Sequence, residues 1–310
     1  MGARRNDGHL VRPLMEPNTP LFLCPICRQP LPFRPPCPCG FVLRESEGIL
    51  NLIADQDAEA MQPFLNAYEQ VRTDEQWGDD DLDLPFHPRR HREVWAIRQR
   101  TFRKLETLFA RSEKGFAADI GAGNCWLTRY LDAWGFDAIA VDANTSGRDG
   151  LGAGQKFINE GARFLRVRST MERLPFVSGR ITLLTTNAAF HYASDFRASL
   201  GEFKRVLTPG GRIAILDTPV YKSPADGERM MAERATNFRQ RYGISEELAR
   251  KSRYLTFDMI SELAAQESLQ LDVQRVWPGW RRQYDQLRGW LVGQRIAEFP
   301  VIILQKEIDG

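Results

Sequence analysis

Ala117-Ala118-Asp119-Ile120-Gly121-Ala122-Gly123-Asn124-Cys125 follows an apolar residue, Phe116, and opens into a helix-like stretch from Trp126 to Trp134. A strand that ends on two closely spaced glycines and enters a helix makes a tight turn. Its backbone reaches a ligand with no Cβ in the way, and the helix N-terminus lies beside it. A dinucleotide would use such a turn, but its fingerprint needs a third glycine at position 126. Trp126 stands there, and an indole obstructs the close helix–strand approach that this glycine permits. Asp119, two residues before the first glycine, suits a cofactor with a cationic amino-acid end better than a pyrophosphate. Asp142, at the end of the next apolar run, is placed to accept both hydroxyls of a ribose.

Outward from the turn, short apolar runs alternate with amphipathic stretches, the pattern of strands joined by crossover helices. Strands are expected at Phe116 to Ile120, Ala138 to Val141, Phe164 to Val167, Ile181 to Thr185 and Arg212 to Leu216. A helix is expected from Phe196 to Leu207, closed by Pro209-Gly210-Gly211. Two further strand candidates, Leu269 to Val276 and Phe299 to Leu304, end the chain. The fold class is therefore α/β, a doubly wound, mostly parallel sheet. Residues 219–256 interrupt the alternation as a helix-rich insertion carrying Tyr221, Met230, Met231, Phe238 and Tyr242, which forms either a lid over the site or a brace on the sheet. Upstream, residues 91–110 have a helical period with Val94, Trp95, Ile97, Phe102, Leu105, Leu108 and Phe109 as a buried stripe. Residues from Asp55 place Met61, Leu65 and Tyr68 on one helix face before the acidic run Asp79-Asp80-Asp81.

The turn resembles motif I of class I methyltransferases, Asp-x-Gly-x-Gly-x-Gly, with Cys125 in place of the last glycine. Met171-Glu172-Arg173-Leu174-Pro175-Phe176, Thr186-Asn187-Ala188-Ala189-Phe190-His191-Tyr192 and Phe203-Lys204-Arg205-Val206-Leu207-Thr208-Pro209-Gly210-Gly211 resemble later motifs of the same family, so the resemblance spans roughly residues 115–220. It implies a seven-stranded Rossmann-like sheet and S-adenosyl-L-methionine as cofactor. By position, Asp119, Gly121 and Gly123 would hold the methionine part and Asp142 the ribose, with Asn124 and Ala143 as further cofactor-binding candidates. Met171 with Glu172 would form the adenine surroundings, Thr170 is a further cofactor-binding candidate, and Asn187 would contact cofactor or acceptor. The chain departs from the family at Thr170, where many relatives have an acid for the adenine amino group, and at Thr182, where strand four usually starts on an acid.

Methyl transfer from a sulfonium needs positioning and desolvation more than covalent help. His191 and Tyr192, just after strand four, are the candidate catalytic pair; His191 serves either as a base for the acceptor or as part of a pocket wall. The Asn/Asp-Pro-Pro-Tyr string of amino-methylating enzymes is absent, since two alanines follow Asn187. No cysteine lies near strand four to act as a nucleophile. Trp277, Trp280 and Trp290 with Arg281, Arg282 and Arg288 either stack an aromatic acceptor or form core and solvated face.

Four of the five cysteines lie between Cys24 and Cys39. In a chain without an N-terminal apolar signal or a run of about 18 apolar residues, this favours a metal over disulfides and a cytoplasmic setting. Cys24-Pro-Ile-Cys27 is a metal knuckle; Cys37-Pro-Cys39-Gly40 is one residue shorter than usual. Together they suit a structural zinc ion. Glu47-Gly48-Ile49-Leu50-Asn51-Leu52 resembles the end of zinc-ribbon modules fused to methyltransferases, including a bacterial ribosomal-RNA guanine methyltransferase. The organisation expected is a leader at 1–20, a zinc-ribbon-like module at 21–54, helices at 55–114 and a methyltransferase domain at 115–310.

With 43% hydrophobic and 26% charged residues and a net charge of +2, the composition is globular and demands no polyanion. The leading partner is a small-molecule or lipid-like methyl acceptor. RNA is the alternative, held by the ribbon and by Arg89-Arg90-His91-Arg92, Arg98, Arg100, Arg103 and Lys104, which otherwise form a solvated face. A non-catalytic binding protein is the third reading.

Overall fold

The computed structural model describes residues 21–31, 36–78, 82–245, 248, 253–277, 279 and 296–308. The leader, the acidic run Asp79-Asp80-Asp81 and the cluster Trp280, Arg281, Arg282, Arg288 and Trp290 lie outside them.

The run that opens the turn is strand β3 (Phe116–Ile120), buried from Ala117 onward. It sits in the middle of a sheet with β4 (Asp137–Asp142), β5 (Leu165–Arg168), β6 (Ile181–Asn187), β7 (Leu207–Leu216), β10 (Leu269–Gln274) and β11 (Val301–Lys306). The order is β5-β4-β3-β6-β7-β11-β10. The first five are parallel, β11 runs antiparallel to β7, and β10 antiparallel to β11. Helices on both faces let the parallel strands read as near-continuous apolar runs. The expected α/β, Rossmann-like sheet and its closing strand pair are present.

Strand residues alternate between two cores. Ala117, Ala138, Ala140, Leu183 and Ala214 face one side, Ala118, Ile139, Val141, Leu184 and Ile213 the other. The first side is covered by α2 (Arg92–Phe109), whose Trp95, Phe102, Leu105 and Phe109 recur at helical spacing, and by the short α3 (Thr128–Ala133) that follows the turn. The second side is covered by α5 (Phe196–Val206) and α7 (Phe257–Gln266). Asp195 caps α5 by accepting from the N–H groups of Arg197 and Ala198. That helix ends at Val206, ahead of Pro209, because Leu207 already pairs with Ile181 in the sheet.

The cysteine-bearing segment does not stand apart from the sheet. Strands β1 (Arg44–Ser46) and β2 (Ile49–Asn51) form a hairpin, and β2 pairs in parallel with β5, giving nine strands in all. Leu21, Phe22 and Leu31 are buried in the same core as Phe176 and Leu174, each contributing about 1.5–3 kcal/mol relative to exposure. Helix α1 (Asp55–Asp74) continues from β2 across the C-terminal edge of the sheet, and α4 (Gln155–Asn159) lies between β4 and β5. The insertion contains a two-stranded pair, β8 (Val220–Tyr221) with β9 (Leu255–Thr256). It also contains α6 (Pro224–Tyr242), started by a Ser223 cap and stopped by Gly243 at φ 66°. Gln70 of α1 donates to the carbonyl of Tyr242, and the Tyr242 hydroxyl to Glu75, so α6 is tied to α1. Among the described residues no helix is long and apolar enough to cross a membrane.

Candidate functional site

The turn 120–124 forms the floor of a cavity of about 360 Å³ at the C-terminal ends of β3, β4 and β6, within the roughly 300–1,000 Å³ of small-molecule pockets. The glycines are structurally required. Gly121 has φ 70°, and a Cβ there would come 2.3 Å from the Ala189 Cβ; Gly123 has φ 51°. Cys125 also adopts a positive φ, 64°, and is buried. The family glycine at this position thus has a conformational reason, which the thiol tolerates.

The two carboxylates expected at the cofactor have different surroundings. Asp142 lines the cavity. Its Oδ2 accepts from the Gly123 N–H and its Oδ1 from the Asn144 N–H, both at 2.8 Å. Asp119 lies beneath the turn: Thr128 and Thr185 hydroxyls donate to it, both at 2.8 Å, and it does not line the cavity. Burial raises both to about 6, against the donated hydrogen bonds that lower them.

Gly121, Gly123, Asn124, Ala143, Thr170, Met171, Glu172, Asn187 and Tyr192 all border the same cavity. Glu172 also accepts from the N–H and hydroxyl of Ser194, and Thr182 is spent on the Phe116 carbonyl. The Asn187 amide donates to Asp217 at 2.6 Å. Since that partner is an acceptor, the Asn187 oxygen is left for another donor. His191 is buried and does not border the cavity; its carbonyl accepts from the Arg253 N–H. Burial, then Arg234 and Arg98, bring its imidazole down to about 3, so it is neutral at neutral pH.

Several wall residues were not anticipated. Phe64, Tyr68 and Arg72, one turn apart on α1, face the cavity. The Phe64 and Tyr68 rings meet Tyr192 at 5.7 and 6.1 Å, making an aromatic wall. Arg72 pairs with Asp149 and rests on the Trp77 ring. Arg98, which the sequence groups with surface arginines, points inward. It lies over Trp95 at 4.6 Å, and its Nε has no hydrogen-bond partner among the described residues. Buried Asp217, the residue after β7, accepts from Thr101 and Asn187 and attracts the Arg98 charge. The sequence marks this helix by Met61, Leu65 and Tyr68, and the four-residue spacing of Phe64, Tyr68 and Arg72 is the signal that finds the cavity-facing side; nothing local marks Arg98 as inward. Arg234 of α6 donates to the Tyr192 hydroxyl at 3.1 Å, and Phe238 helps line an adjoining cavity that shares Phe64, Tyr68 and Tyr192.

Residues 118–215, which carry this floor and most of these strands, match the methyltransferase domain family. The chain carries a methyltransferase domain. No curated protein matches the chain significantly. Among solved structures, this domain and its flanks resemble the YcgJ protein of Bacillus subtilis, with 19% identity, a TM-score of 0.51, and 69% of this chain and 100% of that one covered. They also resemble phosphoethanolamine N-methyltransferase 2 of Haemonchus contortus, in complex with phosphomonomethylethanolamine and S-adenosylhomocysteine. There the identity is 14%, the TM-score 0.51, and coverage 82% of this chain and 61% of that one. At these identities the likeness is one of fold.

Away from the methyltransferase floor, Cys24, Cys27, Cys37 and Cys39 converge, their sulfurs all within 4.8 Å of one another. Cys24–Cys39 and Cys27–Cys37 are 3.5 Å apart, close to the ~3.8 Å edge of a tetrahedron with ~2.3 Å metal–sulfur bonds. The short second knuckle closes because Gly40, at φ 88°, turns its N–H onto the Cys37 carbonyl. The donor set and geometry fit one tetrahedral, thiolate-loving ion such as zinc.

Proposed function

We propose that this methyltransferase domain uses S-adenosylmethionine and methylates a small-molecule or lipid-like acceptor seated against the Phe64–Tyr68–Tyr192 wall. The observation that carries this reading is that wall: three aromatic rings from α1 and the β6 loop border the same cavity as the glycine turn and Asp142. An aromatic wall beside the glycine turn suits an apolar or aromatic acceptor.

The cofactor, when bound, supplies a methyl group on a sulfonium. Asp142 accepts its ribose hydroxyls, its charge fixed in place by two backbone N–H groups. The backbone at Gly121 and Gly123 permits close approach of the methionine part, and the Asn187 oxygen accepts from a cationic amine. Thr170, Met171 and Glu172 form the wall for the adenine. Asp119 shapes the floor from below by holding β3, β6 and α3 together. On the acceptor side, Tyr192, its hydroxyl held by Arg234, orients the nucleophile; we assign the acceptor contact to it rather than to His191. Zinc on the four thiolates is a structural element of this proposal.

The RNA alternative draws less support. Arg98 faces the cavity, Arg100 lies over Trp277 and Arg103 over Phe86, so the basic residues do not form one outward stripe. Radiolabelled methyl transfer into fractionated host extract tests the choice: label in the small-molecule or organic-soluble fraction is expected, and label confined to RNA would overturn the acceptor assignment.

A further inference from the structure

The cofactor wall Ser169–Glu172 has no regular secondary structure of its own, yet it is anchored at both ends by the N-terminal segment. At its start, β2 pairs with β5 up to Arg168, and the Leu52 N–H donates to the Arg168 carbonyl at 3.0 Å. At its end, the Leu23 N–H donates to the Pro175 carbonyl at 2.8 Å, and the Val177 N–H to the Leu21 carbonyl at 2.9 Å. Phe22 packs its ring on Phe176 at 5.8 Å, both fully buried. Arg28, the residue after the second cysteine, donates to the Leu174 carbonyl at 3.0 Å and pairs with Glu202 at 2.9 Å. In return, Arg173 donates to the Ile26 carbonyl at 3.2 Å, inside the first knuckle.

The anchors at its end sit on, or within a few residues of, the loop that the four thiols close, while those at its start belong to the hairpin strand that follows the loop. Arg28 itself has φ 60°, a conformation fixed by the knuckle, where its N–H meets the Cys24 carbonyl at 3.0 Å. Leu21, Phe22 and Leu31 seat the segment in the sheet's core, and an ion on the thiolates would order the two knuckles that carry Arg28 and Ile26. We propose that residues 21–40, closed by a metal ion, act as a clamp that sets the shape of the cofactor wall at Ser169–Glu172, with Arg28 as the positioning residue that transmits it. This rests on the reading of that wall as the adenine side of an S-adenosylmethionine site.

Two sites joined through one ordered element are thermodynamically coupled, and the coupling is reciprocal. Metal should tighten cofactor binding, and cofactor should tighten metal binding by the same factor. The test uses the full chain loaded with zinc, the same chain stripped by a chelator, and Arg28→Gln and Arg28→Lys, which keep all four thiols. Calorimetry with S-adenosylhomocysteine and amide hydrogen exchange over residues 169–177 are the readouts. Stripping zinc and Arg28→Gln should each weaken binding about tenfold, inside the roughly 5–150-fold range of such couplings. Both should speed exchange in 169–177 while Arg28→Gln retains zinc, and saturating S-adenosylhomocysteine should raise zinc affinity by the factor lost on stripping. Arg28→Lys, which keeps the charge beside Glu202 but not the fork that also reaches Leu174, should fall between. Unchanged affinity and exchange in zinc-loaded Arg28→Gln would overturn the clamp, even if the stripped chain unfolds. Failure of the zinc-loaded wild type to bind S-adenosylhomocysteine would overturn the cofactor reading and the coupling with it.

Discussion

Changing each of the two aspartates to asparagine should separate their roles, since the sequence places both against the cofactor, Asp119 at its methionine part and Asp142 at its ribose. In Asp142, both oxygens already accept a backbone N–H, from Gly123 and Asn144 at 2.8 Å. Asparagine keeps one acceptor and turns the other into an NH₂ that faces a donor, orphaning one turn N–H at a cost of about 1–3 kcal/mol. A charge-assisted bond to the ribose is lost as well, about 1.5–3 kcal/mol, or roughly 10–150-fold in affinity. Asp119 meets the hydroxyls of Thr128 and Thr185 and the backbone N–H of Thr128. Hydroxyls rotate to donate or accept, so asparagine can accept from one and donate to the other. Asp119→Asn should therefore cost about 1 kcal/mol or less in stability and leave affinity within about fivefold. Calorimetric titration with S-adenosylhomocysteine and denaturant unfolding of both variants give the two numbers. Equal losses of affinity would refute the placement of Asp119 beneath the floor, and wild-type affinity in Asp142→Asn would refute the ribose assignment.

Gly121→Ala combines a left-handed φ, costing about 1–2 kcal/mol, with a contact of 2.3 Å to Ala189, about 1–3 kcal/mol of overpacking. The double variant with Ala189→Gly should recover the second part but not the first in denaturant unfolding. Cofactor affinity should depend on pH through Asp142, which burial raises to about 6: above about 7 it should be flat, and below about 6 it should fall up to tenfold per pH unit as the carboxylate takes up a proton. The unliganded protein should respond in the opposite sense. With folded values near 6 against ordinary values of 3.8, Asp119 and Asp142 bind more protons folded than unfolded in that window. They therefore stabilise the fold less as pH rises from 4 to 6, a trend that urea midpoints at each pH would read. Cys125→Gly relieves φ 64°, about 1–2 kcal/mol, and loses a buried thiol worth about 1 kcal/mol. It should remain near wild-type stability, while Cys125→Ala, which keeps the strained backbone, should be the less stable of the two.

The sheet was legible because its strands are buried on both faces and announce themselves as unbroken apolar runs; Phe116–Ile120 matches the expected strand end for end. What was hidden is long-range pairing. Ile49-Leu50-Asn51 is too short to reveal a partner, and only the fold brings it beside Arg166–Arg168, more than a hundred residues later. The same limit applied to Arg98. Helix α2 shows arginines at several positions, and the one that turns inward does so because Trp95, Trp77 and Asp217 gather there from three separate stretches of chain.

The two aspartates show where local reading of the site stops. Each ends or nearly ends a strand that points at the cavity, so spacing places both at the cofactor. Position along the strand separates them, since both lie on the face of Ala117, Ala138 and Ala140. Asp119 shares a face with Ala117, the face toward α2 and α3, and its neighbour across the sheet in register is Thr185. Residues paired this way on one face meet directly, so the Asp119 carboxylate finds the Thr185 hydroxyl on one side and the first residue of α3, Thr128, above it. Asp142 is the last residue of its strand, where the chain turns back over the edge and two N–H groups of that edge converge on it. A shift of one residue in the pairing of β3 with β6 would put Thr185 on the opposite face from Asp119 and cost the carboxylate that partner, because the side-chain period is two. The cofactor floor therefore depends on a sheet register that the residues of the turn do not themselves encode.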